Sequence, residues 1–276
     1  MNQSVLHSQP AGSMGVLPDP AGVTSQGTTP LMVMNSHNAT NKQPNKGNEM
    51  KRFTVKQAKE ITGGGIQTVS KMDKAKTYNL PPAECFTGNK LKEIEGSVCS
   101  DCYAEKGLFA VFHKTVQPAQ YRRLESLQHP KWCQAMAFLI NRYSHEYFRW
   151  LSAGDIPNLE FLINVHKVAT LTPDTKHWLP TREYKIAIEY MRWAGATQPE
   201  NLVIRLSAHM VNGPAPSEIG LPTSTVHTLD HQWLMANSHI CPANSQGNTC
   251  WGAKNGGIDC HACWAPLVQN VSYIKH

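Results

Sequence analysis

Residues 147–157 read Tyr147-Phe148-Arg149-Trp150-Leu151-Ser152-Ala153-Gly154-Asp155-Ile156-Pro157, an aromatic and apolar run entering a turn. The first six residues predict a strand, and Gly154 and Pro157 stop it. A helical pattern follows over about Leu159–Thr170, then a strand at His177–Pro180 and a helix near Arg182–Trp193 that Gly195 closes. Asn201–Ser207 is the clearest strand, and Thr225–Leu229 reads as another. Upstream, a strand at Thr77–Pro81 leads into Cys85, and helical stretches lie near Thr115–Gln128 and Pro130–Glu146. In the second of these, Trp132, Met136, Leu139, Ile140 and Tyr143 recur at helical spacing.

Strands alternating with helices of this length predict βαβ units and a parallel sheet. Right-handed crossovers gather the loops after the strands on one face, where function is expected. The polar residues just past each strand fit that expectation: Cys85, then Gly154 and Asp155, then Thr181 and Arg182, then Ser207 and His209. The predicted fold class is α/β, a partial, open βα barrel over residues 49–229. An irregular, cysteine-rich segment, residues 230–276, is expected to close over it. Residues 1–48 are dominated by Pro, Gly, Ser, Thr, Asn and Gln and predict a disordered or extended polar tail.

The chain has 276 residues, a hydrophobic fraction of 41% and a formal charge of +6. That apolar content is enough for a sizeable core and excludes a wholly disordered chain. The basic residues are scattered, with part of the excess in Lys42–Lys59, so the charge favours a solvated surface over a nucleic-acid face. No window approaches the ~18 uninterrupted apolar residues of a membrane span. The N-terminus lacks a charged region followed by an apolar one, so a soluble, cytoplasmic protein is expected. In a reducing compartment, closely spaced thiols point to metal ligands rather than disulfides.

Seven of the eight cysteines fall into two ligand-like groups. Cys85, Cys99 and Cys102 are spaced Cys-x13-Cys-x2-Cys and precede Tyr103-Ala104. Three thiolates leave a four-iron (4Fe-4S) cluster with one iron open to a small molecule, and zinc with a histidine such as His113 as fourth ligand is the alternative. Cys241, Cys250, Cys260 and Cys263 lie in a segment rich in Gly, Asn and Pro. Four thiolates make a closed site suited to zinc or to a fully ligated cluster, and His261 is a spare donor there. Cys133, beside Trp132 and Met136, reads as a core thiol.

The run Cys99-Ser100-Asp101-Cys102-Tyr103-Ala104-Glu105-Lys106-Gly107 resembles the phage family called gene product 88. The family's other two motifs appear as Arg149-Trp150-Leu151-Ser152-Ala153-Gly154-Asp155 and as Cys241-Pro242 with Cys260-His261-Ala262-Cys263-Trp264. The Cys-Tyr-Ala ending is in turn similar to that of radical S-adenosylmethionine (SAM) proteins. That likeness implies a partial βα barrel of radical SAM type, with SAM on the open iron of the first cluster and an auxiliary cluster on the C-terminal cysteines. It implies SAM contacts from Tyr103, Gly154 and Asp155, with Arg182, Ser207 and His209 as further candidates by position. The radical SAM superfamily spaces its first two cysteines by three residues, whereas 13 separate Cys85 from Cys99 here. The expectation is an iron–sulfur protein of radical SAM-like type, of unknown substrate, in the cytoplasm of a phage-infected host. The alternative is a non-catalytic protein, stabilised by iron–sulfur or zinc, that binds nucleic acid or a host protein.

Overall fold

The computed structural model describes residues 53–69, 72, 74–106, 110–144, 146–216, 220–231, 236–253 and 256–275. The polar tail expected over residues 1–48 lies outside them. Among the described residues eight strands form one sheet: β1 (Gln67–Thr68), β2 (Ala75–Tyr78), β3 (Tyr147–Trp150), β4 (Lys176–Thr181), β5 (Leu202–Val211), β6 (Thr223–His227), β7 (His239–Ile240) and β8 (Asn270–Ile274). Their order is β1-β2-β3-β4-β5-β6-β8-β7. Only the β1–β2 pair is antiparallel. With β1 at one end and β7 at the other, the sheet is open. The fold is therefore mixed α/β with a mostly parallel sheet.

Among the described residues the helices are α1 (Val55–Ile61), α2 (Phe86–Lys92), α3 (His113–Ser126), α4 (Trp132–Tyr143), α5 (Leu159–Leu171) and α6 (Tyr184–Ala194). Local chemistry sets several of their ends. Thr54 and Gln57 form a reciprocal capping box on α1. The Asn158 side chain accepts from the Phe161 N–H at the start of α5. Gly195 takes a positive φ of 49° where α6 stops. Helices α1 and α2 are missing from the sequence reading, because each is only seven residues long and shows barely two turns of periodicity.

Alternation along β3 sends Phe148 and Trp150 to one face and Tyr147 and Arg149 to the other. The first face packs under the helices: Tyr78, Trp132, Phe148, Trp150 and Phe161 form its aromatic centre, with Leu179, Ile204 and Leu206. Cys133 packs against this core and donates weakly to the Asn164 carbonyl, as expected of a core thiol. The second face is covered by the cysteine-rich segment. There Ala75, Trp178 and Val271 of the strands meet Trp251, Ala262, Cys263 and Trp264. The Trp264 indole donates to the Phe148 carbonyl at 3.0 Å and so pins that segment to the sheet. A parallel sheet is stable when both faces are covered, and here two unlike layers do it. The segment expected to be irregular supplies two strands of its own, β7 and β8, with the cysteine loops strung between and around them.

Strand β5 runs four residues further than the sequence suggests, so Ser207 and His209 lie within it and not beyond it. The cause is a partner from the segment between the first two cysteines. Val98 N–H donates to the His209 carbonyl at 2.8 Å and Val211 N–H to the Gly96 carbonyl at 2.9 Å, which prolongs extended backbone. No helix among the described residues is long and apolar enough to cross a membrane.

Candidate functional site

Cys85 sits at the N-cap of α2, a few residues past β2. The 13 residues after it fold as α2 and a turn, and the pairing of Gly96–Val98 with the end of β5 carries Cys99 across the strand ends. Ser97 organises that turn: its hydroxyl donates to the Leu91 carbonyl and accepts from Ser100 N–H at 2.9 Å. The insertion between Cys85 and Cys99 thus brings the two thiols together. A side chain at Gly88 would stand 3.7 Å from Cys99 Sγ and 3.8 Å from Cys85 Sγ. Cys102 lies close enough for its charge to act on both. Burial, with the Asp155 carboxylate and the neighbouring thiols behind it, pushes the Cys85 thiol well up. Burial raises Cys99 as well.

The strand-end residues pack around this group. Tyr103 hydroxyl donates to the Ser152 carbonyl and receives Arg149 Nη2 at 3.4 Å. Gly154 has a φ of +83°, and a Cβ there would fall 2.6 Å from the Leu80 carbonyl oxygen, so it lets the β3 turn press onto the chain leaving β2. Asp155 accepts from Ile156 N–H at 2.8 Å, Thr181 hydroxyl at 2.6 Å and Arg182 N–H at 2.9 Å. Burial nevertheless raises its carboxyl, the hydrogen bonds opposing. Arg182 keeps a buried Nε with no partner among the described residues, and its charge acts on Cys99 and Asp155. Ser207 accepts from Ser224 hydroxyl at 3.1 Å. His209 stacks on Tyr184 at 4.4 Å between ring centroids, and Tyr184 hydroxyl donates to the Ser207 carbonyl at 2.6 Å. His113 opens α3 and lines an open cavity of about 350 Å³ together with Pro82, Ala104 and Glu105. Its Nδ1 is hydrogen-bonded to the Ala110 carbonyl at 2.9 Å.

The second group gathers on the sheet face that the helices do not cover. Cys241 follows β7 and its N–H donates to the Ser272 carbonyl at 2.8 Å. Cys260 N–H donates to the Cys250 carbonyl, also at 2.8 Å. Gln246 holds the loop between them: its amide donates to the carbonyls of Thr249 and Ile258 and accepts from Ile258 N–H. Gly252 and Gly257 leave room for that side chain. Cys260 Sγ is hydrogen-bonded to His239 Nε2 at 3.2 Å, and Cys263 Sγ to Tyr273 hydroxyl at 3.1 Å. Desolvation and the other three thiols push Cys250 up to about 12, with Arg149 opposing. Cys263 is pushed to about 12 by burial, against the Tyr273 hydrogen bond. His261 stacks on Tyr147 at 4.7 Å, with its Nε2 buried and unpartnered among the described residues.

All eight cysteines are free thiols. Among the described residues no three His, Cys, Asp or Glu side chains converge on a single ion-sized point. The setting of the second group nonetheless fits an anionic thiolate centre. Around it the buried N–H groups of Arg149 Nε, Trp178 Nε1, Arg205 Nε and Trp251 Nε1 have no acceptor among the described residues. Buried donors without acceptors are costly, and a thiolate or sulfide centre supplies acceptors.

Five residues that the sequence reading passed over belong to these groups: Gly88, Glu183, Arg205, His239 and Tyr273. His239 carried a signal, a histidine two positions before Cys241 on an extended run. Glu183 and Arg205 carried none, because their partners are distant in sequence.

The chain is thus a mixed α/β protein whose open, mostly parallel sheet carries one group of three thiols by the strand ends and one of four against a face. The family model described as Gene product 88 matches residues 42–266, and the chain belongs to that family. No curated protein and no solved structure matches it.

Proposed function

We propose that this is an iron–sulfur protein of radical SAM-like type. In this reading Cys85, Cys99 and Cys102 hold a 4Fe-4S cluster with one iron left for SAM, and Cys241, Cys250, Cys260 and Cys263 hold an auxiliary centre. The observation that carries it is the docking of the Gly96–Val98 turn on β5. It brings Cys99 to the same point as Cys85 at the C-terminal ends of a parallel sheet. Three thiolates on a four-iron cube leave one iron without a protein ligand, and a four-iron cube spaces its ligand sulfurs more widely than a single ion does. Bound there, such a cluster with SAM supplies radical chemistry by one-electron reduction.

The chain's own groups then have distinct tasks. Arg182, with its free Nε beside Cys99, is placed to meet the SAM carboxylate. Tyr184 and His209 offer a stacked aromatic wall next to it. Tyr103 fixes the chain after Cys102 to the β3 turn through Ser152. Asp155 already accepts three hydrogen bonds, so in this reading it ties the ends of β3 and β4 together and receives the SAM amino group only at a remaining lone pair.

Anaerobic purification tests the reading, with iron, sulfide and zinc quantified and electron paramagnetic resonance recorded on the reduced protein with and without SAM. Iron and sulfide with a SAM-dependent change in the spectrum support it. Iron with a spectrum indifferent to SAM removes the SAM part, and zinc alone removes the iron–sulfur reading.

A further inference from the structure

Arg205, on β5, is fully buried. Its Nη1 donates to the carbonyls of Thr223 and Val268 at 2.8 and 3.0 Å, and its Nη2 to those of Ala262 and Ala265, both at 3.2 Å. The last two carbonyls bracket Cys263. The Nε has no partner, and no carboxylate pairs with this guanidinium among the described residues. Arg149, on β3, lies on the same face of the sheet. Its Cζ stands 4.6 Å from the Trp178 ring centroid, its Nε is likewise buried and unpartnered, and no carboxylate pairs with it either.

A guanidinium cannot shed its proton in a protein, so holding one fully buried and a second half-buried without counter-ions is unfavourable. Backbone carbonyls answer the hydrogen-bonding need of Arg205 but bring no net charge. The groups able to bring it are the four thiols of the second group, of which Cys250 lies within reach of the Arg149 charge and Cys263 within reach of that of Arg205, and which are deprotonated when they ligate a metal. Four thiolates around a divalent ion, or around a four-iron core of the same charge, carry two net negative charges, which matches two guanidiniums.

We propose that Arg149 and Arg205 are the counter-cations of an anionic metal–thiolate centre formed by Cys241, Cys250, Cys260 and Cys263. They are positioning residues: they hold the charge of the centre against the sheet, and Arg205 also ties down the Ala262–Ala265 turn that carries Cys263. Arg149 extends this role towards the first thiol group, through its hydrogen bond to Tyr103. The inference rests on the reading that the C-terminal thiols hold metal.

The test is the rate at which the full-length protein loses metal to a chelator, measured in a Cys102→Ala background so that the metal followed is that of the C-terminal group. Arg149→Met, which removes charge without removing any backbone hydrogen bond described above, is expected to lose metal about ten-fold faster or more, the usual scale for a partner of metal ligands. Arg149→Lys, which keeps the charge, is expected to stay near the parent rate, whereas Arg205→Lys keeps the charge but loses the forked hydrogen bonds to the Ala262–Ala265 turn and is expected to lose metal faster than Arg149→Lys. Folding of each variant is checked by its thermal unfolding curve. Equal loss rates in Arg149→Met and the parent overturn the proposal while leaving the metal site standing. A Cys102→Ala parent with no metal that Cys250→Ala removes overturns the metal reading and this inference together.

Discussion

Glu183 accepts hydrogen bonds from Thr87 through both of its oxygens, the backbone N–H at Oε1 and the hydroxyl at Oε2, each at 2.7 Å. Thr87 lies in the first turn of α2, two residues after Cys85, so a carboxylate just past β4, at the N-cap of α6, fixes the helix whose own N-cap is the first thiol. A carboxylate at a helix N-terminus also meets the unpaired N–H groups there.

Removing Glu183 takes the acceptor from the half-buried Thr87 donors, so Glu183→Ala is expected to cost about 1–2 kcal/mol of stability. Glu183→Gln keeps one acceptor and is expected to cost less. Denaturant midpoints rank the three proteins. Iron content, where the first thiol group binds it, is expected to fall in the same order.

Gly154→Ala faces two obstacles: a φ of +83° and a contact of 2.6 Å with the Leu80 carbonyl oxygen. The strain alone is of order 1–3 kcal/mol, and the contact adds to it because backbone cannot swing aside. The expected outcome is a lowered thermal midpoint. A midpoint equal to that of the parent contradicts the close packing of the β3 turn on Leu80.

Gly88→Ala places a methyl group 2.9 Å from Cys85 Cβ and between two sulfurs. The helix itself tolerates alanine well, so the global cost is small. Thiol reactivity reads the local effect: Cys85 and Cys99 are expected to react faster with an alkylating reagent as the methyl pushes them apart. Unchanged rates place the two thiols elsewhere.

His177 is buried neutral, its pKa pulled down from 6.5 to about 3 by desolvation. Trp150 Nε1 donates to its Nδ1 at 3.2 Å, and Nε2 faces Thr172 hydroxyl at 2.8 Å, which itself donates to the Val168 carbonyl. The depressed value means that the unfolded chain takes up the proton first. The stability from the neutral ring is whole above pH 6.5 and is lost as pH falls towards 3, at about 1.4 kcal/mol per pH unit. Unfolding free energies at pH 7, 6 and 5 for the parent and His177→Gln check this, and parallel slopes refute it.

Cys102→Ala is expected to remove the metal of the first thiol group and leave the core intact, since neither hydrophobic layer of the sheet includes Cys102. Iron counted before and after, with circular dichroism as the control, decides it.

Much of the framework was legible beforehand. The strand around Phe148 and Trp150, the helix capped by Asn158, the helix stopped by Gly195 and the strand through Ile204 all rest on periodicity and end signals within a few residues. The two cysteine groups were legible for the same reason, as spacing along the chain. The short strands β7 and β8 were not, because their pairing and not their composition makes them strands.

What the amino-acid sequence determined by itself, then, was the alternation of strands and helices, the two sets of thiols and the family, all of them written in short-range order. The tertiary structure alone decided that the cysteine-rich segment lies on the face opposite the helices, and that the long insertion delivers Cys99 to Cys85 by way of β5. It also decided that Glu183 reaches Thr87 and Arg205 reaches the turn around Cys263. Each of these joins residues tens of positions apart, and such contacts exist only once the order of strands in the sheet has set which distant segments become neighbours.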